Sequence, residues 1–300
     1  VAFDSPLGKP VVVADTQTMR DTDPQSTMIW TVSSKSVNVF ISEEQSLDAD
    51  RKRSPLDTIG IAAVDAGGLT GTRTGDSTTV TAEALAQATA AGAALVAQQN
   101  AQLGAAGKVT VAASKVGQSI RVNYGSTIEN AVVVLTGTTA SAFDPYTLRV
   151  LSRDATGFTF MVDEWEYQDG KRSTSVVVNW VAVAAGVHRL ADGRLVEAGT
   201  LLADSSSGSA TFSADFASGP AVLTSVMSSL DNSAVDSSPT VVTATGFEAR
   251  LQSEEARRAV PRSQELVGYI AFGIAGAGFK TQSHRGLVSL VGIQMLLTEL

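Results

Sequence analysis

Along this chain, apolar and polar residues alternate in short runs, and the runs recur three times. "SVNVFISEEQ" at 36–45, "GFTFMVDEWE" at 157–166 and "GFEARLQSEEA" at 246–256 each place side chains on one face at every second residue. Val37, Val39 and Ile41 correspond to Phe158, Phe160 and Val162, and to Phe247, Ala249 and Leu251. Period two is the signature of a half-buried β-strand. Each run ends in acids (Glu43-Glu44, Asp163-Glu164, Glu254-Glu255), and a polar loop with basic residues follows: Arg51-Lys52-Arg53, Lys171-Arg172 and Arg257-Arg258. A return strand then carries Ile61/Ala63, Trp180/Ala182 and Tyr269/Ala271 at matching places, and Gly67, Gly186 and Gly276 close the units. Upstream of each, a short strand and a turn lead into a Val-rich strand: "VAFDSPLGKPVVVADTQT", "IRVNYGSTIENAVVVLTGTT" and "ATFSADFASGPAVLTSVMSS".

Short strands at close spacing, repeated in tandem, predict a mainly β protein of three antiparallel β-sandwiches at 1–68, 119–202 and 208–300. "VHRLADGRLVEAGT" (187–200) reads as an extra hairpin around Asp192-Gly193, and "ADSSSGSA" (203–210) as a short connector. Between the first two units, 69–118 breaks the pattern. Its Ala-, Leu- and Gln-rich stretch 78–107 predicts an Ala-rich helical insert, starting near Thr81. Leu85, Gly92 and Gln99, with Ala88, Leu95 and Gln102, fall seven apart, so the helix either lies on a neighbouring sandwich or forms a self-associating seam.

Composition narrows function by exclusion. Among 300 residues there is no Cys, the formal net charge is −8 and the pI is about 4.8. No disulfide, thiolate nucleophile or Cys-ligated metal is available, and the acidic balance argues against a phosphate-rich nucleic acid partner. The two histidines, His188 and His284, lie in different units and outside any metal or triad spacing. Asp163 and Glu164 are neighbours in a strand and point to opposite faces, so they cannot flank one glycosidic bond. The Gly-rich "GGLTGTRTGDS" (67–77) lacks the Gly-Lys-Ser/Thr of a phosphate loop and reads as a linker. These features predict a protein that is not an enzyme and needs no cofactor. Calcium is the one metal the acidic pairs could serve, but no Asp-rich loop with a turn glycine accompanies them. No run of about 20 apolar residues predicts a membrane span. "GLVSLVGIQMLLTEL" at 286–300 reads as a strand or a buried segment, and "VAFDSP" as the beginning of a processed chain or of a piece of a longer one.

The loop 163–172 carries the candidate chemistry. Trp165 and Tyr167 offer aromatic faces for the C–H surface of a sugar, and Asp169 and Arg172 offer hydrogen bonds for its hydroxyls. The plainer alternative is that Trp165 packs across its own hairpin onto Val178, or onto a neighbouring unit.

The closing segments resemble the H-type lectin domain. In unit two the resemblance rests on "GFTFMVDEWEYQDGKRSTSVVVNWVAV"; in unit three on "GFEARLQSEEA" and "ELVGYIAF"; in unit one on "VNVFISEEQSLD" and "DTIGIAAV". It covers nearly all of the chain except roughly 70–117. It implies a small β-sandwich that assembles as trimers or hexamers and binds galactose-type sugars at subunit edges, with a Trp near the end of this strand contributing. Trp165 fits that position. The downstream aromatic or His is replaced by Arg172-Ser173-Thr174-Ser175, and units one and three carry Gln45 and Ala256 near the Trp position. Similar modules look like parts of bacterial surface proteins and phage fibres or spikes. The expectation is therefore an extracellular or virion-surface adhesion protein. Its partners would be a cell-surface glycan or polysaccharide and copies of itself as trimer, hexamer or filament. The alternative is a purely structural fibre, spike or filament subunit assembled through sandwich stacking and edge strands such as the first one.

Overall fold

A computed structural model of the chain describes residues 1–20, 23–46, 57–73, 101–139, 145–170, 172–230, 233–257 and 263–276. Its fold is mainly β, with no α-helix among the described residues. Repeat one comprises β1 (Pro10–Thr16), β2 (Gln25–Val32), β3 (Val37–Glu43) and β4 (Ile59–Asp65). Repeat two comprises β7 (Ile120–Asn123), β8 (Ala131–Thr138), β9 (Tyr146–Asp154), β10 (Gly157–Glu164) and β11 (Val176–Ala184). Repeat three comprises β14 (Gly208–Thr211), β15 (Ala221–Val226), β16 (Val235–Val242), β17 (Gly246–Ser253) and β18 (Glu265–Gly273). Two hairpins connect them: β5 (Gly67–Arg73) with β6 (Ala101–Val111), and β12 (Gly186–Leu190) with β13 (Leu195–Ala203).

Each repeat is an inner pair packed on an outer sheet. The inner pairs β1–β4, β8–β11 and β15–β18 are antiparallel, and their registers set Ile61 opposite Ala14, Trp180 opposite Leu135 and Tyr269 opposite Thr224. The outer sheets are β2–β3, β7–β10–β9 and β14–β17–β16. The N-terminal stretch fills the place of β7 and β14 in repeat one. Ala2 bridges Ser36, and the Val1 amine donates to Val37 O at 2.7 Å. The segment expected to be open for another subunit is thus paired, on this side, within its own repeat.

The Val-rich runs bury both faces of the inner strands. Val12, Ala14, Ile61 and Ala63 face the core of the first sandwich, while Val11, Val13, Ala62 and Val64 join a second, larger core. That larger core also takes Val132, Val134, Val181 and Val183 from repeat two, and Leu223, Ile270 and Phe272 from repeat three. A strand covered on both sides is apolar at successive positions, which is why alternation gives way to a Val run. Strands β1, β8 and β15 each touch the other two. The inner strands of the three repeats therefore meet around one pseudo-threefold axis.

One hydrogen bond repeats three times around that axis. Ala14 N donates to Thr136 Oγ1 (3.0 Å), Leu135 N to Ser225 Oγ (2.9 Å) and Thr224 N to Asp15 Oδ2 (2.9 Å). Donors 14, 135 and 224 are equivalent by register, and the acceptors stand one position further along each strand. The ring runs from one to two, two to three and three to one. Two glutamines add strand-like pairing where repeat three meets repeat one. Gln17 receives Val222 N at 2.8 Å and donates to Val222 O at 2.7 Å; Gln252 receives Gln25 N at 2.7 Å.

The expected helix over 78–107 is corrected at its end: 101–107 opens strand β6, and 74–100 lies outside the described residues. The small residues that favour a helix here serve close strand packing. A Cβ on Gly104 would stand 2.2 Å from Ala182 O, and one on Gly107 2.6 Å from the Trp180 ring. The apolar stretch 286–300 is also outside the described residues.

Candidate functional site

The loop after β10 starts from a strand end fixed by its own carboxylate. Glu164 accepts Gly170 N and Arg172 N, each at 3.0 Å, and so ties the two ends of the loop together. Gly170 takes φ 70°, a left-handed turn open to glycine, and Glu166–Gln168 form one 3₁₀ turn between.

The four residues of the expected sugar site separate in depth. Trp165 is 0 % exposed, so its indole is a plug within the protein and no face of it is offered to solvent. Arg172 is buried, with its guanidinium 4.4 Å from the Tyr146 ring centroid in a cation–π stack. Tyr167 is half-buried, and burial pushes its phenol above the usual tyrosine value. Asp169 alone is exposed. The four therefore do not line one surface cleft.

The reason is the pseudo-threefold arrangement. Trp165 occupies the position held by Glu44 in repeat one and Glu254 in repeat three, and all three are buried. These loops meet across repeats. Glu44 Oε2 accepts Glu255 N at 2.8 Å, Ser46 Oγ accepts Ala256 N at 2.8 Å, and Tyr167 lies within electrostatic reach of both Glu44 and Glu254. Glu44 and Glu164 thus each take loop amides as partners, and the basic residues that follow the acids in sequence are Arg51–Arg53, Lys171–Arg172 and Arg257–Arg258. Of those basic residues, Arg51–Arg53, Lys171 and Arg258 lie outside the described residues.

Charge is also buried where repeats two and three meet. Arg149 and Glu265 form a 3.1 Å ion pair with both side chains almost fully covered. Arg149 also donates to Ser228 O (3.2 Å) and Ser233 O (2.5 Å), and Glu265 receives Leu230 N and the Ser228 hydroxyl. Asp163 stands 4.0 Å from Arg149, yet burial pushes its carboxyl up to about 6.

At the polar end of the axis lies a cavity of about 30 Å³, lined among others by Asp15, Ser26, Thr136, Thr224, Ser225 and Asp236. It is far smaller than the hundreds of Å³ of a small-molecule pocket. Burial raises Asp15 well above the ordinary carboxylate value, against hydrogen bonds from Thr224, and raises Asp236 to about 6. No group of three or more His, Cys, Asp or Glu among the described residues is placed to hold a metal.

Among the described residues, an exposed aromatic stands elsewhere. Trp30 is 60 % exposed in β2, where the pairing with β3 slips between Ile29 and Thr31. The equivalent strands slip as well, at Leu151 of β9 and Thr240 of β16, so Trp30 is the bulged residue of its repeat. A bulge re-aims a side chain, here turning a large indole outward. Beside it, Asn38 Nδ2 donates to Thr31 Oγ1 at 2.8 Å on the exposed face. Sequence reasoning missed Trp30 because a period-two reading assigns it a face that the bulge reverses. The slip was not visible in "STMIWTV".

No family model, no curated protein and no solved structure matches this chain.

Proposed function

We propose that this chain is a non-enzymatic structural subunit of an extracellular or virion-surface fibre, spike or filament, with three H-type-lectin-like sandwiches acting as a one-chain counterpart of a three-subunit assembly. The threefold-repeated hydrogen bond of Ala14, Leu135 and Thr224 carries this reading, because it joins each repeat to the next through backbone amides. The residue types that would serve a ligand in unit two, Trp165 and Arg172, are used inside the protein. Sedimentation velocity over a wide concentration range tests it. A structural subunit gives discrete higher species or an open series built from the folded chain; a chain that stays monomeric at all concentrations counts against it.

A carbohydrate-binding adhesin is the second reading, favoured by the outward Trp30 with its polar neighbours Thr31 and Asn38. Flat aromatic faces stack on sugar C–H surfaces, and weak single sites gain from multivalency. Glycan screening of the wild type against Trp30→Ala and Tyr167→Ala separates that surface from the 163–172 loop.

A further inference from the structure

Repeat one is tied covalently to the rest of the chain at one place. β4 ends at Asp65, and Gly67, at φ 133°, opens β5, whose partner β6 covers β11 of repeat two. That φ is open to glycine, and nothing stands within 4 Å of where a Cβ would be, so the backbone has room to turn there. Repeat one also keeps a core of its own, in which Leu7, Val12, Ile29, Val37 and Ile61 pack together. Among the described residues its inner pair β1–β4 is a sheet to itself, and a single residue pair, Ile29 with Thr138, carries β2 on to β8 of repeat two.

The junction with repeat three is made by side chains. Among the described residues no strand of repeat one pairs with a strand of repeat three, whereas Val226 pairs with Arg149 between repeats two and three. Glutamines take the place of a ladder. Gln17 holds both backbone polar groups of Val222, and Gln252 holds both of Gln25, donating through Nε2 to Gln25 O at 3.2 Å. Thr224 N donates to Asp15, Glu255 N to Glu44 and Ala256 N to Ser46. The polar cavity lined by Asp15 and Asp236 also lies between these two repeats, so packing is incomplete at this joint. Moving repeat one away uncovers Val11, Val13, Ala62 and Val64 and leaves the polar groups unmet, a cost that drives the place to be refilled. The segment that refills it must bring Asp15, Gln17, Gln25 and Glu44 at the same spacing, and repeat one of a second copy does.

We propose that repeat one is exchanged between copies of this chain: it swings out about Gly67 and takes the place of repeat one in a second copy, against that copy's repeats two and three. The inference rests on the structural-subunit reading above and names its partner and its interface. Reciprocal exchange closes a dimer, and head-to-tail exchange propagates an open series. Every bond across the junction is the same in the closed and the exchanged forms, so concentration decides between them.

The absence of cysteine makes the test clean. Ser46 Oγ accepts Ala256 N at 2.8 Å across the junction, which sets the two residues within disulfide reach. Full-length Ser46→Cys and Ala256→Cys chains are unfolded, mixed, refolded together at high concentration, oxidised and mapped by mass spectrometry. The expected result is a disulfide joining the two variants, at least tenfold more abundant than the disulfide either forms with itself; a mixed disulfide no more abundant than those overturns the proposal. The double variant Ser46→Cys with Ala256→Cys, oxidised at low concentration, locks repeat one in its own ring. Its higher species in sedimentation velocity should disappear and return on reduction. Higher species that persist in the locked chain overturn exchange and leave the structural-subunit reading standing, whereas a wild type that is monomeric throughout overturns both.

Discussion

Thr224 addresses Asp15 twice, through its backbone N–H at 2.9 Å and its hydroxyl at 2.6 Å, both to Oδ2. The two residues are 209 positions apart, and their contact returns the ring from repeat three to repeat one. The equivalent acceptors, Thr136 and Ser225, are neutral hydroxyls; only here is a carboxylate used, and burial raises its pKa. Asp15→Asn keeps an acceptor oxygen and removes the charge, so it should preserve or raise the melting temperature at pH 7. Asp15→Ala leaves the Thr224 amide and hydroxyl unmet and should cost about 1–3 kcal/mol. Chemical denaturation of the two variants side by side checks the pair. A loss as large in Asn as in Ala would show that the charge itself is required.

Arg149 and Glu265 pose the opposite electrostatic problem, a fully covered ion pair between repeats. Removing one partner strands the other charge away from water. Arg149→Ala should therefore lose about 3–5 kcal/mol, whereas Arg149→Met combined with Glu265→Gln should recover much of that. Urea unfolding of the singles and the double measures the coupling, and a double mutant no better than the single would refute it.

Two carboxyls make stability depend on acid. Burial holds Asp163 and Asp236 at about 6 in the folded chain, above the ordinary value near 4 that the unfolded chain retains. The folded state then binds more protons between those values, so stability falls as pH rises from about 4 to 6 and levels off above. Asp163→Asn should flatten part of that fall and raise stability at neutral pH, by roughly 1–3 kcal/mol. Thermal melts from pH 4 to 8, wild type against variant, give the sign directly. A wild-type profile that climbs from pH 4 to 6 would contradict the assignment for these two groups.

How much was legible beforehand follows from which forces act locally. The recurrence of Val37/Val39/Ile41, Phe158/Phe160/Val162 and Phe247/Ala249/Leu251 is a local period, and it marks the same strand in each repeat. The ring is not local: nothing in "VVVADT", "VVVLTG" or "AVLTSV" states that Asp15, Thr136 and Ser225 accept amides from one another's repeats. Ala and Gly at 101–107 satisfy helix propensity and tight strand packing equally well, and only Ala182 and Trp180, about 75 residues further on, decide between them. Trp165 reads as a platform or a plug until the loops of Glu44 and Glu254 are known to sit at equivalent buried places. Trp30 was hidden by a bulge that changes which face it takes.

Trp30 and Trp165 can be told apart by a single substitution each, and the outcomes separate packing from recognition. Trp165 is fully covered, so Trp165→Ala opens a large cavity and should cost about 3–5 kcal/mol. Trp30 projects from a bulge with most of its surface in water, so Trp30→Ala should move stability by no more than about 0.5 kcal/mol. If the exposed indole serves recognition, a glycan bound by the wild type is lost in Trp30→Ala with the fold intact. If it serves assembly, the higher species in sedimentation are lost under the same condition. A Trp165→Ala variant that melts with the wild type while losing a glycan would reverse the roles given to the two residues, placing the ligand at the junction of the three loops. Because the stability readout and the binding readout fall on different tryptophans, neither variant's failure can be mistaken for the other's.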